Sequence, residues 1–191
     1  MELILASTSP YRKMLLEARG LSFQAVAPLC DEDLLKDPAL SGLALTQKLA
    51  KAKADSLKEK FPEAYIIGSD QVLEFDGRIY GKPKTKERAL EQLLSMQGKT
   101  HQLVTSLYLH APHQQWIHTE IVSLTMHPWS ESELTRYIDA DLPLDCAGSY
   151  KLEKRGLLLF KEIKADDYES IIGLPLIKLF SILREEHFPL F

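Results

Sequence analysis

The stretch ELILASTSPYRKMLLEARG, residues 2–20, decides the fold. Leu3 to Ala6 is an apolar run of the length of a short buried strand. Ser9-Pro10 follows, with serine as N-cap and proline at the first helical position, and Gly20 closes the helix. A buried strand running straight into a helix is the opening of an α/β sheet. Arg12 and Lys13 fall in the first helical turn, whose dipole and free N–H groups favour anions rather than cations. Two cations there, with Ser7 and Ser9, form the composition of a phosphate cradle.

The alternation continues along the chain. SFQAVAP (22–28) alternates as a strand, and 31–38 reads as an acidic loop. A helix is expected over 42–60, with Leu45, Leu49, Ala52 and Leu57 roughly on one side. AYIIGSD (64–70) is a short buried strand that places Asp70 just past its end. VLEFDGRIYGK (72–82) is a hairpin around Asp76-Gly77. A helix from Thr85 to Met96 precedes two longer strands, 101–111 and 116–127, joined through PHQQ. Ser130 and Glu133 have capping-box spacing and open a helix to Ala140. LLLFKEIKA (157–165) is a strand, and a last helix spans 174–186 after Gly173. The pattern is α/β with several hairpins, hence a mixed sheet.

The chain has 191 residues, 45% hydrophobic and 26% charged, with net charge -4. That suits one globular domain, 1–191, and no linker or repeat divides it. No basic stripe marks a nucleic-acid binder, while a small anionic ligand stays open. No run reaches the ~18 apolar residues of a membrane helix. Cys30 and Cys146 have neither metal nor redox spacing, and no leader pattern precedes the first strand, so a cytoplasmic setting is expected.

The chemistry-bearing residues are few. Asp70 belongs where ligands sit in α/β sheets, at the carboxyl end of a strand. Glu32, in CDED (30–33), could join it in holding a divalent cation beside a polyphosphate, because such a cation needs only one or two protein carboxylates. Gly81-Lys82-Pro83 is not a P-loop, since proline occupies the Ser/Thr position, but Lys82 can still reach a phosphate as a point charge. Composition does not separate Lys53 from its neighbours Lys48, Lys51, Lys58 and Lys60. Five of six histidines fall between 101 and 127 and read as surface residues.

Taken together, LILASTSPYRKMLL (3–16), Asp31-Glu32, LAKAKADSL (49–57), IIGSDQV (66–72), GKP (81–83), CAGSYKLE (146–153) and IIGLPL (171–176) resemble the Maf-like nucleoside triphosphate pyrophosphatases. The seven pieces occur in family order and cover nearly the whole chain. The resemblance implies an elongated α/β fold, with a central twisted mixed sheet flanked by helices and a cleft between two lobes. It implies a magnesium- or manganese-dependent cleavage between the α- and β-phosphates of a nucleotide, and a homodimer. By resemblance Asp70 is the general base, Ser7, Arg12, Lys13, Lys53 and Lys82 line the phosphates, and Glu32 and Asp70 hold the metal. The chain has Ala52-Lys53-Ala54 where the family often has Glu-Lys-Ala. Tyr11, Gln71 and Glu153 resemble the subgroup that hydrolyses 7-methyl-GTP. An aromatic face suits the cationic methylated base, and a carboxylate accepts from the guanine N–H edge. The alternatives are a broader pyrophosphatase, acting on dTTP, UTP or other modified bases, and a nucleotide-binding regulator of cell division without turnover.

Overall fold

The computed structural model describes residues 1–191. Seven strands, β1 (Leu3–Ala6), β2 (Gln24–Val26), β3 (Tyr65–Phe75), β4 (Arg78–Tyr80), β5 (Thr100–His110), β6 (Gln115–Met126) and β7 (Phe160–Lys164), form one sheet. Its order is β2-β1-β3-β5-β6-β7, with β4 on β3. The six helices are α1 (Pro10–Glu17), α2 (Glu32–Leu35), α3 (Gly42–Asp55), α4 (Lys86–Met96), α5 (Glu131–Asp141) and α6 (Leu176–Glu185). The sheet is mixed: β1 runs parallel to β2 and β3, whereas β3–β4 and β6–β7 are antiparallel. No helix is long and apolar enough to cross a membrane.

The chain divides into two compact units. The first comprises Met1–Gln71, Thr105–Glu120 and Asp167–Phe191; the second comprises Val72–Val104 and Ile121–Asp166. In the first, β1 and the opening residues 65–67 of β3 are apolar and buried at every position because both faces are covered. Leu3 and Leu5 of β1 and Ile67 of β3 pack with Leu15 and Leu16 of α1 and Leu179 and Ile182 of α6. Ile4, Ala6 and Ile66, one residue out of phase, pack with Ala50 and Ala54 of α3. In the second unit, α4 packs on α5, and Leu93, Met96, Leu134 and Ile138 are buried. Ser130 and Glu133 form the expected capping box at the start of α5.

Several elements differ from the sequence reading. The 31–38 segment contains a helical turn, α2, because the Asp31 side chain accepts from the backbone of Asp33 and Leu34. Helix α3 ends at Asp55, where the Ser56 hydroxyl donates to the Lys53 carbonyl at 2.7 Å. Residues Arg155–Leu159 form 3-10 turns, so β7 starts only at Phe160. The strand expected over 22–28 pairs only at 24–26. The strand expected to end before Asp70 continues unbroken to Phe75. The turn at Asp76 and Gly77, both with positive φ, then reverses the chain into β4.

Candidate functional site

The site begins with a glycine. At Gly68 of β3 a Cβ would lie 2.0 Å from the Ala50 carbonyl oxygen, so only glycine lets β3 meet the α3 backbone here. Ala50 and Ala54 supply the small face on the helix side. This contact lies beside Lys53 on the helix and just before Asp70 on the strand. The Lys53 ammonium donates to Asp70 Oδ1 at 2.6 Å. Its second partner is Glu32 Oε2 of α2, at 3.0 Å.

Lys53 is 5% exposed and Asp70 8%. A buried lysine keeps its charge only where carboxylates replace the lost water. Here two do so. They form an oxygen donor set already gathered around one cation.

Arg12 approaches from α1. Its Nε donates to the Gly173 carbonyl at 2.8 Å and its Nη1 to Ser7 Oγ at 3.4 Å. Ser7 Oγ also accepts from the Ser9 backbone at 3.1 Å. Burial lowers the proton affinity of the guanidinium, and the charges of Asp70 and then Glu32 oppose that effect. The charge mismatch at the start of α1 is therefore offset within the protein itself, by a carbonyl, a hydroxyl and two carboxylates.

The structure thus brings Ser7, Arg12, Glu32, Lys53 and Asp70 together within the first unit. It corrects the placement of Asp70, which is a mid-strand residue of β3 and not one past a strand end. Lys13 points away: it is exposed and pairs with Glu17 at 3.5 Å. Tyr11 is half-buried in the first turn of α1. The Gln71 amide nitrogen donates to Thr105 Oγ1 at 2.8 Å, the Ser170 carbonyl at 2.9 Å and the Ile171 carbonyl at 3.0 Å. Its donors are spent inside the fold, so the group it can offer a ligand is the oxygen Oε1.

Lys82 and Glu153 belong to the second unit. Lys82 is exposed after β4, next to Gly81, whose carbonyl accepts from Gln92 Nε2 at 3.1 Å. Glu153 is exposed in a turn after Lys151.

Two signals were missed in the sequence. Lys53 falls four residues after Leu49 and four before Leu57, on the apolar stripe itself, whereas Lys48, Lys51, Lys58 and Lys60 are exposed. A lone lysine on a buried stripe is the mark of a paired buried charge. Gly173, Ser69 and Asp167 were also passed over as separate residues. The histidines are not all at the surface either: His101 is 2% exposed. No group of three or more His, Cys, Asp or Glu side chains is gathered for a metal.

A model of the Maf-like protein family matches residues 2–186. A Bdellovibrio bacteriovorus protein named 7-methyl-GTP pyrophosphatase is 48% identical over 182 residues, 95% of both chains. Proteins of the same name from Xanthomonas axonopodis pv. citri and Pseudomonas aeruginosa are each 42% identical, over 97% of this chain and 97% and 96% of theirs.

Proposed function

The chain belongs to the Maf-like protein family, and on that premise we propose that it is a pyrophosphatase that hydrolyses 7-methyl-GTP to 7-methyl-GMP and pyrophosphate. The observation that carries the reading is the buried Lys53 held between Asp70 and Glu32, with Arg12 in their field. Cations and carboxylates together suit a site that must both hold a polyanion and activate water.

In this reading Arg12, Lys53 and Ser7 bind phosphate oxygens and offset their charge. Asp70 orients a water molecule and takes its proton as the water oxygen attacks the α-phosphorus. The bond to the bridging oxygen breaks, pyrophosphate leaves with that electron pair, and the proton on Asp70 passes to solvent. Glu32 and Asp70 would hold a magnesium or manganese ion, since both are carboxylates already gathered around one cationic group. Such an ion, when bound, supplies charge neutralisation at the phosphates. For the base, Gln71 Oε1 offers an acceptor to guanine N–H donors, and Tyr11 offers an aromatic face to a cationic ring. The roles of Lys13 and Lys82 at the phosphates and of Glu153 at the base rest on the resemblance alone.

The test is pyrophosphate release by the purified protein, with 7-methyl-GTP, GTP, dTTP and UTP in parallel, in magnesium, in manganese and in chelator. The expected outcome is a preference for 7-methyl-GTP and loss of release in chelator. Preference for dTTP or UTP would overturn the base reading and leave the phosphate chemistry. Undiminished release in chelator would overturn the role of the metal, and no release from any substrate would overturn the enzyme reading.

A further inference from the structure

The Gly173 carbonyl oxygen receives two side chains. Arg12 Nε donates to it at 2.8 Å and Ser69 Oγ at 2.9 Å. Ser69 is fully buried and directly precedes Asp70 on β3. One backbone oxygen therefore fixes both the guanidinium and the strand position beside the carboxylate. With Nε occupied and Nη1 turned to Ser7, the guanidinium plane is set, and Nη2 is left for an anion.

The carbonyl is itself held hard. Gly173 has φ +124, which an L side chain rarely adopts, and a Cβ there would meet Arg12 Nε at 3.5 Å. Its N–H donates to the Ser170 carbonyl at 3.0 Å. The Ser170 carbonyl also accepts from Thr105 Oγ1 at 3.0 Å and from Gln71. Both ends of the segment are tied by one buried carboxylate, that of Asp167, 4% exposed. Its Oδ1 accepts from the Glu169 backbone at 3.0 Å, and its Oδ2 from the Ile177 backbone, in the first turn of α6, at 2.7 Å. Its own N–H donates to Glu120 Oε1 at 3.3 Å, and its carbonyl accepts from Ser170 Oγ at 2.6 Å. That is more restraint than a surface connection needs.

We propose that the 167–177 segment is a positioning device: Asp167 locks it, and the Gly173 carbonyl presents the Arg12 guanidinium to the phosphates in one orientation. The inference rests on the phosphate role of Arg12. Pre-set orientation matters because a guanidinium displaced by about 1 Å loses most of its advantage in the transition state, on the order of a hundredfold in rate.

A double-mutant cycle tests it. Gly173→Ala is made in the wild type and in Arg12→Lys, whose ammonium has no Nε–H to give the carbonyl. In the wild type we expect kcat to fall roughly tenfold to a hundredfold, with KM changing less. In Arg12→Lys the same substitution should change kcat less than about twofold, the non-additivity expected of two residues that act through one contact. Equal losses of kcat in both backgrounds would show a merely structural glycine and overturn the proposal. Asp167→Asn, which keeps the volume, runs the same cycle if Gly173→Ala does not fold. The Nε–H proton of Arg12, followed by NMR, is an independent readout. It should exchange slowly in the wild type and fast in Gly173→Ala, and fast exchange in the wild type would overturn the proposal. An Arg12→Lys protein with wild-type kinetics overturns it at its premise. A wild type without turnover instead sinks the enzyme reading, a different failure.

Discussion

Each of the two units buries a basic side chain, and they treat it in opposite ways. In the first, Lys53 is 5% exposed and is ion-paired with two carboxylates. In the second, His101 is 2% exposed and has no carboxylate partner. Its Nε2 meets the Tyr150 hydroxyl at 3.0 Å, its ring packs on Tyr150 and Phe160, and its Nδ1 has no hydrogen-bond partner. Burial pushes its pKa down to about 4, so it is neutral at pH 7. The fold can thus take in a basic residue by stripping its charge. Where it pairs the buried cation instead with a buried acid, Asp70, and a partly exposed one, Glu32, packing alone gives no reason for the arrangement. A hydrophobic residue would serve as well or better for stability. That contrast sets Lys53, Asp70 and Glu32 apart from His101, which is core, and is the reason the proposed function is built on them.

The contrast breaks most visibly at Asp70. Asp70→Asn keeps the shape and removes the charge. Pyrophosphate release is expected to fall about 10²–10⁴-fold, the range of a positioned general base. A rate near that of the wild type would reduce the Lys53 pair to a structural ion pair.

Much of this was legible in the sequence, and the exceptions share a cause. The seven ordered motifs, the hairpin at Asp76-Gly77, the capping box at Ser130 and the Ser9-Pro10 start of α1 are local patterns, and local patterns are written in neighbouring residues. The pairing of Lys53 with Asp70 is not local. It depends on Gly68 letting a helix backbone touch a strand backbone, and one glycine in a strand does not name its neighbour. Asp70 looked like a strand end because polar residues usually close a strand; here both faces are covered, and the strand runs on through the buried charge. Gly173 reads in the sequence as part of IIGLPL and as the residue before the last helix, since what it holds lies far away in sequence. His101 was read as surface because its partners, Tyr150 and Phe160, are likewise distant in sequence.

His101 supplies the other side of the comparison as a pH dependence. Its folded pKa, about 4, lies below the ordinary 6.5, so the unfolded chain takes up the proton first. The stabilisation is fully present above pH 6.5 and is lost as pH falls toward 4, by up to about 3 kcal/mol. Urea unfolding at pH 7 and pH 4.5 measures the slope. His101→Phe should flatten that part of the slope, whatever it does to absolute stability through the Tyr150 hydroxyl. Identical slopes in the two proteins would mean that His101 titrates as an exposed histidine does, and the comparison would lose its second term.

A smaller effect calibrates both. The capping box of α5 is polar and charged yet lies at the surface, where water competes for every group. Ser130 Oγ donates to Glu133 Oε2 at 2.6 Å, and the Ser130 N–H donates to the same oxygen at 2.9 Å. These two bonds hold the Glu133 carboxyl below its ordinary 4.5. The stabilisation is therefore present above pH 4.5 and fades as the carboxyl protonates below it. Ser130→Ala should lower the melting temperature by about 2–4 °C at pH 7, by less at pH 3, and leave kcat and KM unchanged. A fall in turnover would show that α5 is coupled to the chemistry. An unchanged rate with the expected shift in melting separates three uses of polar side chains in one chain. At the surface they start a helix at small cost, in a neutral core they are tolerated without charge, and at Lys53 they hold a buried ion pair together.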